Sequence, residues 1–220
     1  GGVPGVMKRL GDKLHANCPS VSGRTIGEIA RAGEIFDDDV IRTIENTVTD
    51  NAGIWVLKGN LCPDGAIMKP STASPHLLKH RGRAVVFESI EDYKARIDDP
   101  DLDVTPDSVL VLKGCGPKGY PGMPEVGNMA LPKKLLNAGV RDMVRISDAR
   151  MSGTAYGTVV LHVSPESVAG GPLGKIIEGD LIHLDAENRS LNVEVSSEEW
   201  LKRPNTSKEL FEPADRGYQF

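Results

Sequence analysis

Apolar positions along the chain follow two regimes. Up to about residue 50 they are sparse and recur at helical spacing. Val6, Met7, Leu10 and Leu14 predict a helix over Val6–Leu14. Shorter helices are predicted over Thr25–Ala32 and over Asp37–Thr47, the second with Asp37, Asp38 and Asp39 at the end where the helix dipole favours negative charge. So thin an apolar face predicts a helical appendage that packs on something else. From Gly53 the pattern turns to short continuous apolar runs: Ile54–Leu57, Ala84–Phe87, Val109–Leu112, Val140–Ile146 and Thr158–Val163. Runs of this kind suit strands buried on both faces. Leu181–Leu184 and Leu191–Val195 flank a polar turn and read as a hairpin, with Leu191, Val193 and Val195 alternating against Asn192 and Glu194.

Helices are predicted between some of these strands. Ser89 with Asp92 opens one over Ile90–Ile97, Gly139 closes another over Gly127–Asn137, and Glu198–Lys202 forms a short turn. Residues 205–220 are polar and read as a loose tail. The pattern sets a helical segment over 1–52 ahead of an α/β domain over 53–220. Few helices for that many strands favour a compact, barrel-like β/β/α arrangement over a doubly wound sheet.

At 220 residues the chain can hold one core plus a small satellite. Its 26 Lys and Arg against 31 Asp and Glu leave a net charge of −5, which gives no electrostatic reason to expect a nucleic-acid partner. No apolar run approaches the roughly 18 residues of a membrane helix. The first residues have no secretory layout, and the missing initial Met reads as a processed or truncated piece. Cys18, Cys62 and Cys115 are odd in number and lack CxxC spacing, which fits a reducing, cytoplasmic setting without zinc or a disulfide framework. The 24 glycines and 15 prolines are concentrated in short loops, as expected of sites built from backbone.

Three such loops follow apolar runs: Lys58–Gly65, Gly114–Glu125 and Ser147–Thr154. The second ends in Glu125, a hard oxygen ligand suited to Mg²⁺, or simply a carboxylate at the start of the predicted helix. It lacks the Gly-Lys-Ser/Thr ending of a P-loop. The third offers the Ser152 and Thr154 hydroxyls around Gly153. On residues alone, a turn in which they satisfy local backbone groups is the simpler account. His76 and His80, four apart, are read as surface residues able to share a helix face, and His162 as a satisfied core or edge histidine. Cys62 and Cys115 lie in site loops, but lone thiols there are more often inert.

The segments Gly116–Glu125, Ser147-Asp148-Ala149-Arg150-Met151-Ser152-Gly153-Thr154, His162-Val163-Ser164-Pro165-Glu166 and Gly170–Leu173 occur in one order and spacing. That series resembles the C-terminal part of the dihydroxy-acid/6-phosphogluconate dehydratase family. Gly59–Ala66, Gly1–Pro4 and Val21–Thr25 extend the resemblance over nearly the whole chain. The form Asp-Ala-Arg-Met-Ser-Gly-Thr looks like the sugar-acid (arabinonate or xylonate) branch.

The resemblance implies a swivelling β/β/α domain of a hydro-lyase that converts a 2,3-dihydroxy acid into a 2-keto acid. It implies Ser152 as the catalytic base, Thr154, Arg150 and Asn60 as substrate-binding residues, and Glu125 as one Mg²⁺ ligand. An iron–sulfur cluster, of the [2Fe–2S] type in this branch, acts on the leaving hydroxyl in the parent enzyme. Its cysteines belong to an N-terminal domain, and Cys18, Cys62 and Cys115 do not match them. The expectation is therefore a C-terminal piece of a homo-oligomeric enzyme, inactive alone, with residues 1–52 as the tail of the missing domain. A stand-alone sugar-acid-binding module, or a small subunit pairing with a cluster-bearing partner, is the alternative.

Overall fold

The computed structural model describes residues 1–49, 53–120, 122–123, 125–126 and 129–207. The chain divides into two compact units, Gly1–Ala52 and Gly53–Phe220.

In the first unit, α1 (Gly2–Leu10) runs into a 3₁₀ turn at Gly11–Lys13 and packs against α2 (Ile26–Ala32). The helix predicted over Val6–Leu14 thus starts earlier and ends at Gly11, whose φ of +51° leaves the helical region. Helix α2 begins at Thr25, whose hydroxyl accepts the Glu28 N–H while Glu28 accepts the Thr25 N–H, a reciprocal cap. The helix predicted over Asp37–Thr47 does not form, and only a 3₁₀ turn at Ile44–Asn46 remains. The Asp37 carboxylate accepts the Asp39 and Val40 N–H groups as an N-cap would, and the Ile41 N–H reaches the Asp37 carbonyl, but the turn is not continued into a helix. Val3, Val6, Phe36, Val40 and Val48 are exposed, in keeping with the thin apolar face.

The second unit is a closed barrel of eight strands: β1 (Trp55–Gly59), β2 (Cys62–Met68), β3 (Lys79–Phe87), β4 (Val109–Leu112), β5 (Arg145–Ser147), β6 (Val159–Ser164), β7 (Leu181–Asp185) and β8 (Ser190–Val193). They follow one another around the barrel as β1-β2-β6-β5-β4-β3-β7-β8, closed by Lys58 against Ser190. Strands β3, β4, β5 and β6 are parallel neighbours. Their C-terminal ends therefore share one end of the barrel, and the Gly65–Ser164 register brings the β1–β2 turn to that end too.

Side-chain alternation on the buried strands builds two cores. Ala84, Val86, Val109 and Val111 join Leu57, Ile146, Val160, Ile182 and Leu191 inside the barrel. Val85, Phe87, Leu110 and Leu112 face outward under α3 (Ile90–Arg96) and α4 (Lys133–Asn137), with Tyr93, Ile97 and Leu135. Burying each large side chain contributes about 1.5–3 kcal/mol.

The structure departs from the pattern at several places. The pattern places Lys58–Gly65 in a loop and marks no strand there, whereas β2 runs over Cys62–Met68. The run at Val140–Ile146 yields only a three-residue strand, Arg145–Ser147, and ahead of it the Met143 N–H is taken by the Asp142 carboxylate. The helix over Gly127–Asn137 reduces to Lys133–Asn137 after Pro132, and Arg145 Nη1 holds the Met129 carbonyl at 2.9 Å ahead of it. Gly127 and Asn128 lie outside the described residues. Helix α5 (Ser197–Lys202) is followed by an anchored segment: Asn205 Nδ2 donates to the Ser167 carbonyl at 2.7 Å, and the Thr206 N–H to that of Gly174. Residues 208–220 of the expected loose tail lie outside the described residues. No helix among the described residues is long and apolar enough to cross a membrane.

Candidate active site

Strands β5 and β6 are parallel neighbours joined by residues 148–158 without a helix, so this loop must run back along the barrel. Side chains from other elements hold it. At its start, the buried Asp148 accepts the Cys115 N–H at 2.9 Å and both the N–H and hydroxyl of Ser167, at 2.9 and 2.5 Å. The Ala149 carbonyl accepts the His162 N–H, and the Met151 N–H donates to His162 Nε2 at 2.7 Å. Lys69, just beyond β2, donates from Nζ to the carbonyls of Ser152 and Gly153, at 3.3 and 2.9 Å. At the far end Gly157, with φ +89°, lies against Arg145 and Asp142, where any side chain would overlap them.

Within this frame the Ser152 Oγ accepts the Thr154 N–H at 3.2 Å and lies 3.0 Å from Thr154 Oγ1. This is the local turn the residues suggested, and it leaves both hydroxyls paired, with Ser152 half-buried and Thr154 exposed. Arg150 reaches the other way. It forms an ion pair with Glu125, and its Nε donates to the Met123 carbonyl at 2.8 Å. The serine loop and the Gly/Pro loop after β4 are thereby joined.

Glu125 does not lead directly into a helix as the sequence suggested, since α4 begins only at Lys133. Its loop is held from behind by Glu166, whose carboxylate accepts the N–H groups of Lys118 and Gly119. Gly116 packs so close to that carboxylate that a Cβ there would overlap it. A cavity of about 390 Å³ opens between the loops, lined by Met123, Asp148, His162, Ser164 and Glu166 among others.

Asn60 is not hydrogen-bonded to this cluster. In the β1–β2 turn its amide donates to the Val193 carbonyl and accepts the Val193 N–H, both at 2.8 Å, which ties that turn to β8. His76 and His80 share no helix: one lies on a 3₁₀ turn and the other in β3, bonded to the Asp107 carbonyl at 2.9 Å. Lys69, Asp148, His162 and Glu166 support the site, and of these Lys69 alone falls outside the motifs quoted above.

The chain's donors suit one part of a metal site. Glu125 offers one exposed carboxylate, and no group of three or more His, Cys, Asp or Glu among the described residues is placed to hold a metal. The cysteines do not fit a cluster. Burial raises the Cys62 thiol to about 12 and pushes Cys115 higher, with Asp148 and Glu91 adding to the effect, so neither is a ready thiolate. Cys18 alone is exposed.

The loops after the parallel strands of the closed barrel thus carry a paired serine and threonine, Ser152 with Thr154, and an arginine-held carboxylate, Arg150 with Glu125. The chain belongs to the dihydroxy-acid/6-phosphogluconate dehydratase family, whose C-terminal domain matches residues 39–219. It is 57% identical over 205 residues to the L-arabinonate dehydratase of Rhizobium leguminosarum bv. trifolii (strain WSM2304), covering 92% of this chain and 35% of that protein. It is 54% identical to the L-arabonate dehydratase of Azospirillum brasilense, with coverage of 92% and 35%. With the 6-deoxy-6-sulfo-D-gluconate dehydratase of Pseudomonas putida it shares 48% identity, with coverage of 92% and 36%. The chain thus spans little more than a third of the length of these relatives.

Proposed function

We propose that this chain supplies the base-bearing half of a sugar-acid dehydratase, which removes water from a 2,3-dihydroxy acid to give a 2-keto-3-deoxy acid. The observation that carries the reading is the Ser152–Thr154 hydroxyl pair in a loop fixed by His162, Lys69 and Asp148. The deprotonated Ser152 Oγ takes the C2 proton of the substrate. The C3 hydroxyl then leaves as water with the proton Ser152 took, and the resulting enol becomes the 2-keto group as its proton moves to C3. Thr154 donates to Ser152 Oγ or to a substrate hydroxyl, and Arg150 offers a guanidinium for the substrate carboxylate. Asn60 keeps one free hydrogen-bonding position on each amide atom, enough for a substrate contact from its turn.

Glu125 would be one ligand of Mg²⁺, which when bound stabilises the negative charge that builds on the substrate carboxylate as the C2 proton leaves. The cysteines of this chain hold no cluster in this reading, and activation of the C3 hydroxyl lies with groups outside it. Residues 1–52 are read as the tail of the N-terminal domain that carries them, and the barrel as a swivelling domain.

The test is Ser152→Ala in the full-length enzyme, assayed with pentonic and hexonic acids, L-arabinonate among them. Loss of a general base predicts a fall in kcat of about 10²–10⁴-fold with substrate binding retained. Turnover close to that of the unaltered enzyme would refute the base assignment.

A further inference from the structure

The geometry around β6 points to His162 as the positioning residue for the Ser152 hydroxyl, an inference that rests on the reading of Ser152 as base. His162 stands in the left-handed region, φ +52°, where the β2–β6 register slips between Gly65 and Ile67. Few residues other than glycine adopt that conformation, so the kink needs a compensating role. Its effect is to turn the His162 N–H to the Ala149 carbonyl, at 2.9 Å, and the ring to the Met151 N–H, at 2.7 Å. One residue thereby grips the serine loop on both sides of Arg150 and stops immediately before Ser152. Lys69 grips the next carbonyls, those of Ser152 and Gly153. Ser152 is thus fixed between a histidine on one strand and a lysine beyond another.

The contact also fixes the state of the ring. Nε2 accepts a hydrogen bond, so the proton sits on Nδ1 and the imidazole is neutral, because an imidazolium has no acceptor. Burial, with the Arg150 guanidinium, holds the ring's pKa below its ordinary value and favours this state. Protonation would set an N–H against the Met151 N–H and release the loop just before Ser152.

The experiment compares His162→Phe and His162→Gln with Ser152→Ala in the full-length enzyme. Phe keeps ring volume without an acceptor, whereas the Gln Oε1 can accept the Met151 N–H. Misplacement of a reacting group by about 1 Å costs roughly 10²-fold, so kcat of His162→Phe should fall by about that factor with KM little changed. His162→Gln should recover most of it. Unchanged kcat in His162→Phe, alongside an inactive Ser152→Ala, would overturn the positioning role and leave the base assignment intact. An active Ser152→Ala overturns both. Should the variants fail to fold, the ¹⁵N spectrum of histidine-labelled unaltered enzyme decides. An Nδ1–H tautomer for His162 at neutral pH supports the role, and an Nε2–H tautomer or an imidazolium overturns it.

Discussion

Two buried aspartates bracket β5, and they are held in different ways. Asp142, ahead of the strand, accepts the Thr158 N–H and hydroxyl, the Ser74 N–H and a guanidinium N–H of Arg145 at 3.2 Å. Arg145 in turn reaches the Met129 and Tyr156 carbonyls. Asp148, just after the strand, is held by neutral donors from the loops behind β4 and β6. The first carboxylate belongs to a buried ion pair that locks the end of the barrel where the serine loop returns. The second gathers the loops that carry the site. Main-chain donors hold both carboxylates, and Asp142 meets a charged partner in addition, Arg145.

Asp142→Ala should be the most damaging change. It breaks a buried ion pair and removes the acceptor of the Ser74 and Thr158 N–H groups, which costs about 3–5 kcal/mol, read as a shifted midpoint in denaturant unfolding. A loss smaller than that of any Asp148 variant would break the contrast. Asp148→Asn comes next. Its NH₂ must face donors on one side, leaving buried groups unpaired at about 1–3 kcal/mol. Its kcat should fall more than its stability implies, because the Gly/Pro loop and the serine loop both lose register. Asp148→Asn with full kcat would show that the site stands without this brace.

The finest distinction is in pH. His162 has a folded pKa below its ordinary 6.5, so its contribution is full above that value and declines as pH falls through the lower folded one. For Asp142 burial is the largest influence and raises the pKa, yet the donors from Thr158 and Ser74 outweigh it and bring it below 3.8. Its contribution is full above 3.8 and is lost as pH falls through the folded value. The Met151 amide resonance should therefore move at pH values below 6.5 while that of Thr158 holds until below 3.8. The reverse order would remove the assignment of each residue to its end of the barrel.

The parts legible in the sequence are those fixed locally. Val109–Leu112 reads as a strand because both its faces are buried, and α3 is visible from Ser89, which caps the Asp92 N–H at 3.2 Å. β2 was hidden because Cys62-Pro63-Asp64-Gly65 carries turn residues. It is a strand only because β1 and β6 pair with it on either side. Ser152, Thr154, Arg150 and Glu125 stood out through the order of their motifs, and the structure brings them together in two pairs. Lys69 gave no signal, since the carbonyls it holds lie 83 and 84 residues away. Asp148 was in view as part of a motif, but the Cys115 N–H that defines its task lies 33 residues off.

Closure of the barrel has a practical consequence for all these variants. Each of the eight strands has a neighbour on both sides, so none among the described residues is an edge strand for another chain to extend. Loops that lose their anchors leave that seam intact. Variants of the serine loop should thus remain dispersed in concentrated solution, where an open sheet would recruit its own copies into aggregates.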